Sequence, residues 1–105
     1  MYTMSNSQDP GSIPSYREEF KHSVDLFERS LQAYKQSNMD NQKTKFQEVM
    51  GEASHIMSET SPQFMNSGDL QDVAKLQTDF REFLKNPSSD VMKRLQQDIN
   101  NLKNV

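Results

Sequence analysis

Two short runs, EEFKH and GEASHIM, place a glutamate three residues before a histidine: Glu19 before His22, and Glu52 before His55. On a helix, residues three apart share a face. Glu-x-x-His pairs that project inward from two helices of a bundle are how carboxylate-bridged di-metal centres are built. The chemistry would then be that of a small metalloenzyme. Such a centre makes definite demands. Both histidines must face the core, and each of the other two helices must supply a glutamate.

The helix that carries the first pair tests this demand. Tyr16, Phe20, Val24, Phe27, Leu31 and Tyr34 are spaced by threes and fours, the mark of one apolar helix face. Each residue turns a helix by about 100°, so the stripe stays within about 40° of Phe20, whereas His22 falls about 160° away and Glu19 about 100° away. On the second helix, measured from Phe46, His55 falls near ~180° and Glu52 near ~120°. Both histidines are therefore expected to point away from the core. The third helix offers Glu82, but the fourth has no glutamate, only Asp90 and Asp98. A carboxylate-histidine metal-binding bundle thus ranks last among the functional readings, and no metal or cofactor is expected. The two Glu-His pairs read as solvated partners on a helix surface.

Other chemistry is thinner. The chain has no cysteine, which excludes disulfides, thiolate zinc sites and a cysteine nucleophile. It has no glycine-rich phosphate loop, no nucleophile elbow and no HExxH motif. Glu18 beside Glu19 suits the positive end of a helix better than a catalytic dyad. The expectation is a protein that is not an enzyme.

Four helices must position whatever the chain does present. At 105 residues with only 32% hydrophobic residues and a mean hydropathy of -0.94, the chain must be strongly patterned to fold as one domain. Residues 1–13 are polar and read as a flexible tail, leaving 14–105 as a single helical-bundle domain. Ser15 and Glu18 form a capping box that opens helix 1, which fades at Ser37–Asn38. Helix 2 is expected from about 40 to 59, capped by Asn38 or Asp40, with Phe46, Val49, Met50, Ala53, Ile56 and Met57 on its apolar face. Pro62 ends it, and a loop over 60–68 leads to helix 3 from about 69 to 86, with Leu70, Val73, Leu76, Phe80, Phe83 and Leu84 on its face. Pro87 breaks the chain again, and Ser88 or Ser89 caps helix 4, which carries Val91, Met92, Leu95, Ile99, Leu102 and Val105.

Short connections make helices 1 and 2, and helices 3 and 4, antiparallel hairpins. A shift of 49 residues lays one hairpin on the other: Val24 on Val73, Phe27 on Leu76, Leu31 on Phe80, Met50 on Ile99. Any two heptad stripes superpose at a shift of seven heptads, so the coincident turn is the only independent sign of duplication. Each hairpin has an apolar seam it cannot bury alone. The fold class is therefore all-α, two antiparallel helical hairpins packed as a four-helix bundle, with Phe27, Leu31, Phe46, Phe80, Leu95 and Ile99 at the centre of its core.

Function is read from what is left over. Net charge is -3 with acids and bases interspersed, so no basic face invites nucleic acid. No stretch is apolar enough for a membrane span, and the first thirteen residues lack the basic and apolar regions of a Sec signal. The expected location is cytoplasmic, with export by a non-Sec route as the alternative. Seven methionines are many for this length, and methionine suits adaptable binding surfaces. The leading expectation is a protein–protein interaction module, adaptor-like, that accepts an amphipathic helix of another protein or a second copy of itself as a homodimer. Its candidate partner-binding residues are Phe64 and Met65 in the long loop, with Met57 and Ile56 beneath them. A small chaperone or component of a bacterial protein-secretion apparatus is the alternative, suggested by the polar, Ser/Asn/Gln-rich first residues.

Overall fold

In the computed structural model, which describes residues 15–105, the Ser15 hydroxyl accepts from the Glu18 amide at 3.1 Å and the Glu18 carboxylate accepts from the Ser15 amide at 3.2 Å. This capping box satisfies two amide donors that a helix start otherwise leaves unpaired. It opens α1 (Tyr16–Gln36), followed by α2 (Asp40–Thr60), a single 3-10 turn (Ser61–Gln63), α3 (Ser67–Lys85) and α4 (Ser89–Lys103). The expected tail over 1–13 lies outside the described residues.

Three boundaries differ from the sequence reading. The position before α2 is held by Met39, and neither Asn38 nor Asp40 caps it; Asp40 sits inside the first turn, where its charge meets the helix dipole. The break after Thr60 is shorter than expected because Pro62 fits the start of a 3-10 turn, where its missing amide donor is not needed. α3 begins at Ser67, two residues earlier than the expected 69, since Asn66 accepts from the Asp69 amide at 2.8 Å and caps it. α4 opens on Ser88, whose hydroxyl accepts from the Val91 amide at 3.2 Å.

The helices run up, down, up and down as a four-helix bundle. Sequence neighbours are spatial neighbours, α1 also lies against α4 and α2 against α3, and the diagonal pairs do not approach through their backbones. Large side chains fill the centre instead. Phe27 of α1 meets Phe80 of α3 edge-to-face at 5.3 Å, and Tyr34 of α1 meets Phe83 of α3 at 4.9 Å. Such edge-to-face pairs add about 0.5–1.5 kcal/mol beyond the area they bury. Leu31, Met50, Leu76, Leu95, Ile99 and Leu102 are enclosed around them.

Phe46, expected at the centre, is only partly buried. The inward face of α2 is built on Met50, Ala53 and Met57; Phe46 lies a turn before Met50 and packs at the margin. Tyr16 and Leu84, also placed on apolar faces, are exposed. Each sits at a helix end, where the periodic pattern continues but the neighbouring helices no longer cover it.

Gly51 lies inside α2 with no backbone conformation that requires glycine, and a β-carbon there would stand 4.0 Å from Cε2 of Phe80, an ordinary contact. Gly51→Ala is therefore expected to stabilise the fold by about 0.5–1 kcal/mol through helix propensity alone. A urea-unfolding midpoint that falls on this change would mean that α2 uses the glycine to flex.

Candidate functional site

The loop residues singled out from the sequence close one end of the bundle. Met57 is 0% exposed and Met65 9%, both within the main core. Phe64 packs against that core with its ring edge-to-face on Phe20 at 5.6 Å, and the Arg17 guanidinium lies 4.8 Å over its outer side. The surplus of apolar surface expected here is thus consumed by the fold, because the 3-10 turn folds Phe64 and Met65 back over the ends of α1 and α2. Changing Phe64 and Met65 together to Ser is expected to lower stability by about 2–5 kcal/mol, measured as a shift of the thermal unfolding midpoint.

Of the four candidate residues, Ile56 borders an open groove. A groove of about 380 Å³ runs along the outer valley between α1 and α2, lined by Tyr16, Glu19, His22, Ser23, Leu26, Ile56, Glu59 and Thr60. Tyr16, Glu19, His22 and Leu26 repeat at threes and fours on α1, so they form a second, outward stripe on that helix. Ile56, Glu59 and Thr60 do the same on α2. Tyr16 is 54% exposed and Leu26 39%.

The floor is made of hydroxyl residues whose protons are engaged. Ser23 donates to the Phe20 carbonyl at 2.6 Å and Thr60 donates to the Ile56 carbonyl at 2.8 Å. These back-bonds turn the hydroxyl protons toward the helix backbone. The valley therefore presents apolar side chains from both helices, a floor whose hydroxyl protons are already engaged, and a rim of Glu19 and Glu59.

The histidines lie outside, as their angular positions require. His22 faces the groove, and His55 is exposed with its Nε2 at 3.4 Å from Glu59 Oε2. The partner of His55 is thus Glu59, four residues on, and not Glu52. Among the described residues no three His, Asp or Glu side chains gather as a metal-holding group. No helix among them is long and apolar enough to cross a membrane.

A second polar cluster lies inside, between α3 and α4. Asp98 is 1% exposed and Asp79 is also buried. Lys75 Nζ reaches Asp79 at 2.9 Å and Asp98 at 3.1 Å, and Arg94 pairs with Glu82 and lies 3.6 Å from Asp79. Burial, together with a hydrogen bond and repulsion from the Asp79 carboxylate, pushes the Asp98 carboxyl up to about 6. Asp79 is held below the usual carboxylate range by its hydrogen bond to Asp98 and by Lys75 and Arg94. The Asp98 Oδ2 atom has no hydrogen-bond partner. Through Lys75 and Arg94 this cluster ties α3 to α4. On the α1 side of α4, Gln96 links Gln32 at 2.8 Å and Glu28 at 2.8 Å, and Lys103 holds Glu28 below its usual range.

No protein-family model matches the chain, and neither a curated protein nor a solved structure shows significant similarity to it.

Proposed function

We propose that this bundle is a non-catalytic protein-interaction module whose binding surface is the α1–α2 groove, and that it receives an amphipathic helix of another protein. One observation supports the reading above others: three large apolar side chains, Tyr16, Leu26 and Ile56, converge on an open valley that the bundle itself does not need. A valley between two parallel ridges accepts a helix as a third rod, with apolar side chains seated at i, i+3 and i+4. Exposed aromatic and aliphatic groups around a cleft are the usual anchors of such contacts. Ile56 keeps its place in the reading from the sequence, whereas Met57, Phe64 and Met65 act as the scaffold beneath it.

The test is a photo-crosslinking residue in place of Leu26, compared with the same residue in place of exposed Leu84, in the native host. A single heterologous adduct from position 26 and none from position 84 is the expected result. Leu26→Asp should then weaken the purified pair by at least about tenfold, the effect of losing a central anchor, with the thermal midpoint nearly unchanged. Adducts from position 84 alone would move the surface to the other end of the bundle. An adduct with a second copy of the chain would make the groove a homodimer contact.

A further inference from the structure

The charge around the groove narrows the choice of partner. Between Lys45 and Lys75 the chain contains no lysine or arginine, while it carries Glu48, Glu52, Glu59, Asp69 and Asp72. The half of α2 that walls the groove lies within this stretch. Glu59 stands on the rim, with His55 Nε2 3.4 Å away and His22 across the groove, and Glu52 precedes Ile56 by one turn on the same face.

The α1 wall reaches the same balance by another route. Its bases are turned elsewhere: Arg17 lies over the Phe64 ring, Lys21 lines a separate small cavity with Val24, Leu102 and Lys103, and Arg29 pairs with Asp25 at 2.9 Å. Glu19 is left on the rim opposite Glu59. An apolar valley between two glutamate-bearing walls favours a ligand with apolar side chains down its centre and cations along both flanks.

We propose that the occupant of the α1–α2 groove is a basic amphipathic segment, its apolar face on Tyr16, Leu26 and Ile56 and its lysines or arginines between Glu19 and Glu59; this rests on the groove being the binding surface. The aliphatic stems of such residues would cover the groove margin while their charged heads meet the glutamates. Binding is then expected to weaken as salt rises, since these ion pairs are exposed.

The experiment uses the full chain and two labelled amphipathic peptides of about 18 residues, roughly five helical turns. Both carry leucine on one face; one carries lysine and the other glutamate on the opposite face. Fluorescence anisotropy gives affinities, and amide chemical shifts locate the site. The lysine peptide is expected to bind at least about tenfold tighter than the glutamate peptide, with shifts centred on Leu26, Ile56 and Glu59. Glu19→Lys with Glu59→Lys should lower its affinity about tenfold, the sum of several exposed ion pairs changed from attraction to repulsion. Asp72→Lys with Asp90→Lys, the same change in net charge on α3 and α4, should lower it less than about threefold. Circular dichroism checks that both variants keep the helical fold. Equal affinity for the two peptides, with shifts in the groove, would overturn the basic partner and leave the groove as the surface. An equal loss from the two double variants would reduce the effect to bulk charge and overturn it as well. Shifts confined to other faces, or no binding by either peptide, would overturn the groove reading and the charge reading together.

Discussion

Phe27→Ala is expected to cost about 3–5 kcal/mol, a large fraction of the stability of a domain of this size. The ring is fully enclosed and its edge-to-face contact with Phe80 crosses the bundle diagonally, where no backbone stands close enough to collapse into the space. The cost therefore includes the lost burial, the lost aromatic pair and a cavity that only side-chain motion can shrink. Denaturant unfolding followed by helical circular dichroism measures it. Phe46→Ala provides the contrast: that ring is partly buried at the margin, and its loss is expected to cost less than half as much. If the two changes had equal effects, the core would be centred nearer to α2 than the enclosed residues indicate.

The second large effect is on pH dependence. The Asp98 carboxyl sits at about 6 in the folded chain, above the ~3.9 of an unfolded aspartate. The folded state therefore binds this proton more tightly than the unfolded chain does. Stability from this group is present below about pH 4 and is lost as pH rises through about 6, a change on the order of 1–3 kcal/mol. Asp79 and Glu28 act with the opposite sign: both are held below their usual values, so their contribution is present at neutral pH and lost in acid. The domain should be most stable near about pH 4 to 5, should lose stability as pH rises from there through about 6, and should change little between about pH 7 and 8. Asp98→Asn, which keeps the shape and cannot ionise, is expected to raise stability at pH 8 and flatten the profile from pH 8 to pH 5. Urea midpoints at pH 5, 6, 7 and 8 decide it. A wild-type profile that falls steadily from pH 8 to pH 5 would show that Lys75 and Arg94 compensate the buried charge fully.

The sequence makes the long stripes legible. Phe20, Val24, Phe27, Leu31 and Tyr34 on α1, and Leu95, Ile99 and Leu102 on α4, are all buried, because a threes-and-fours pattern fixes a helix face whatever it packs against. The pattern does not say where the neighbouring helix stops, so it assigns Tyr16, Phe46 and Leu84 more burial than they have. The Asp79–Asp98 cluster had a readable signal. Asp98 lies three residues after Leu95 and four before Leu102, and Asp79 lies three after Leu76 and four before Phe83. Both therefore fall on apolar faces, and Lys75 stands one turn before Asp79 to meet them. The groove had a fainter signal: Leu26 is out of register with the α1 stripe beside it, whereas Ile56 reads as part of the α2 stripe. What the pattern could not supply was the valley itself, which exists only once α1 and α2 lie side by side.

The up-down-up-down order also has a kinetic side. α1 and α2 make the most extensive contact in the molecule and are joined by only three residues, so their pairing closes a small loop. The Phe27–Phe80 and Tyr34–Phe83 contacts join residues about fifty apart in sequence, and chain-closure entropy favours their forming later. Weakening the diagonal from the Phe80 side should then act mainly by speeding unfolding, leaving the refolding rate close to that of the wild type. In stopped-flow measurements only the unfolding arm would move. The first hairpin would collapse at its native pace and wait for a partner hairpin that holds on less firmly.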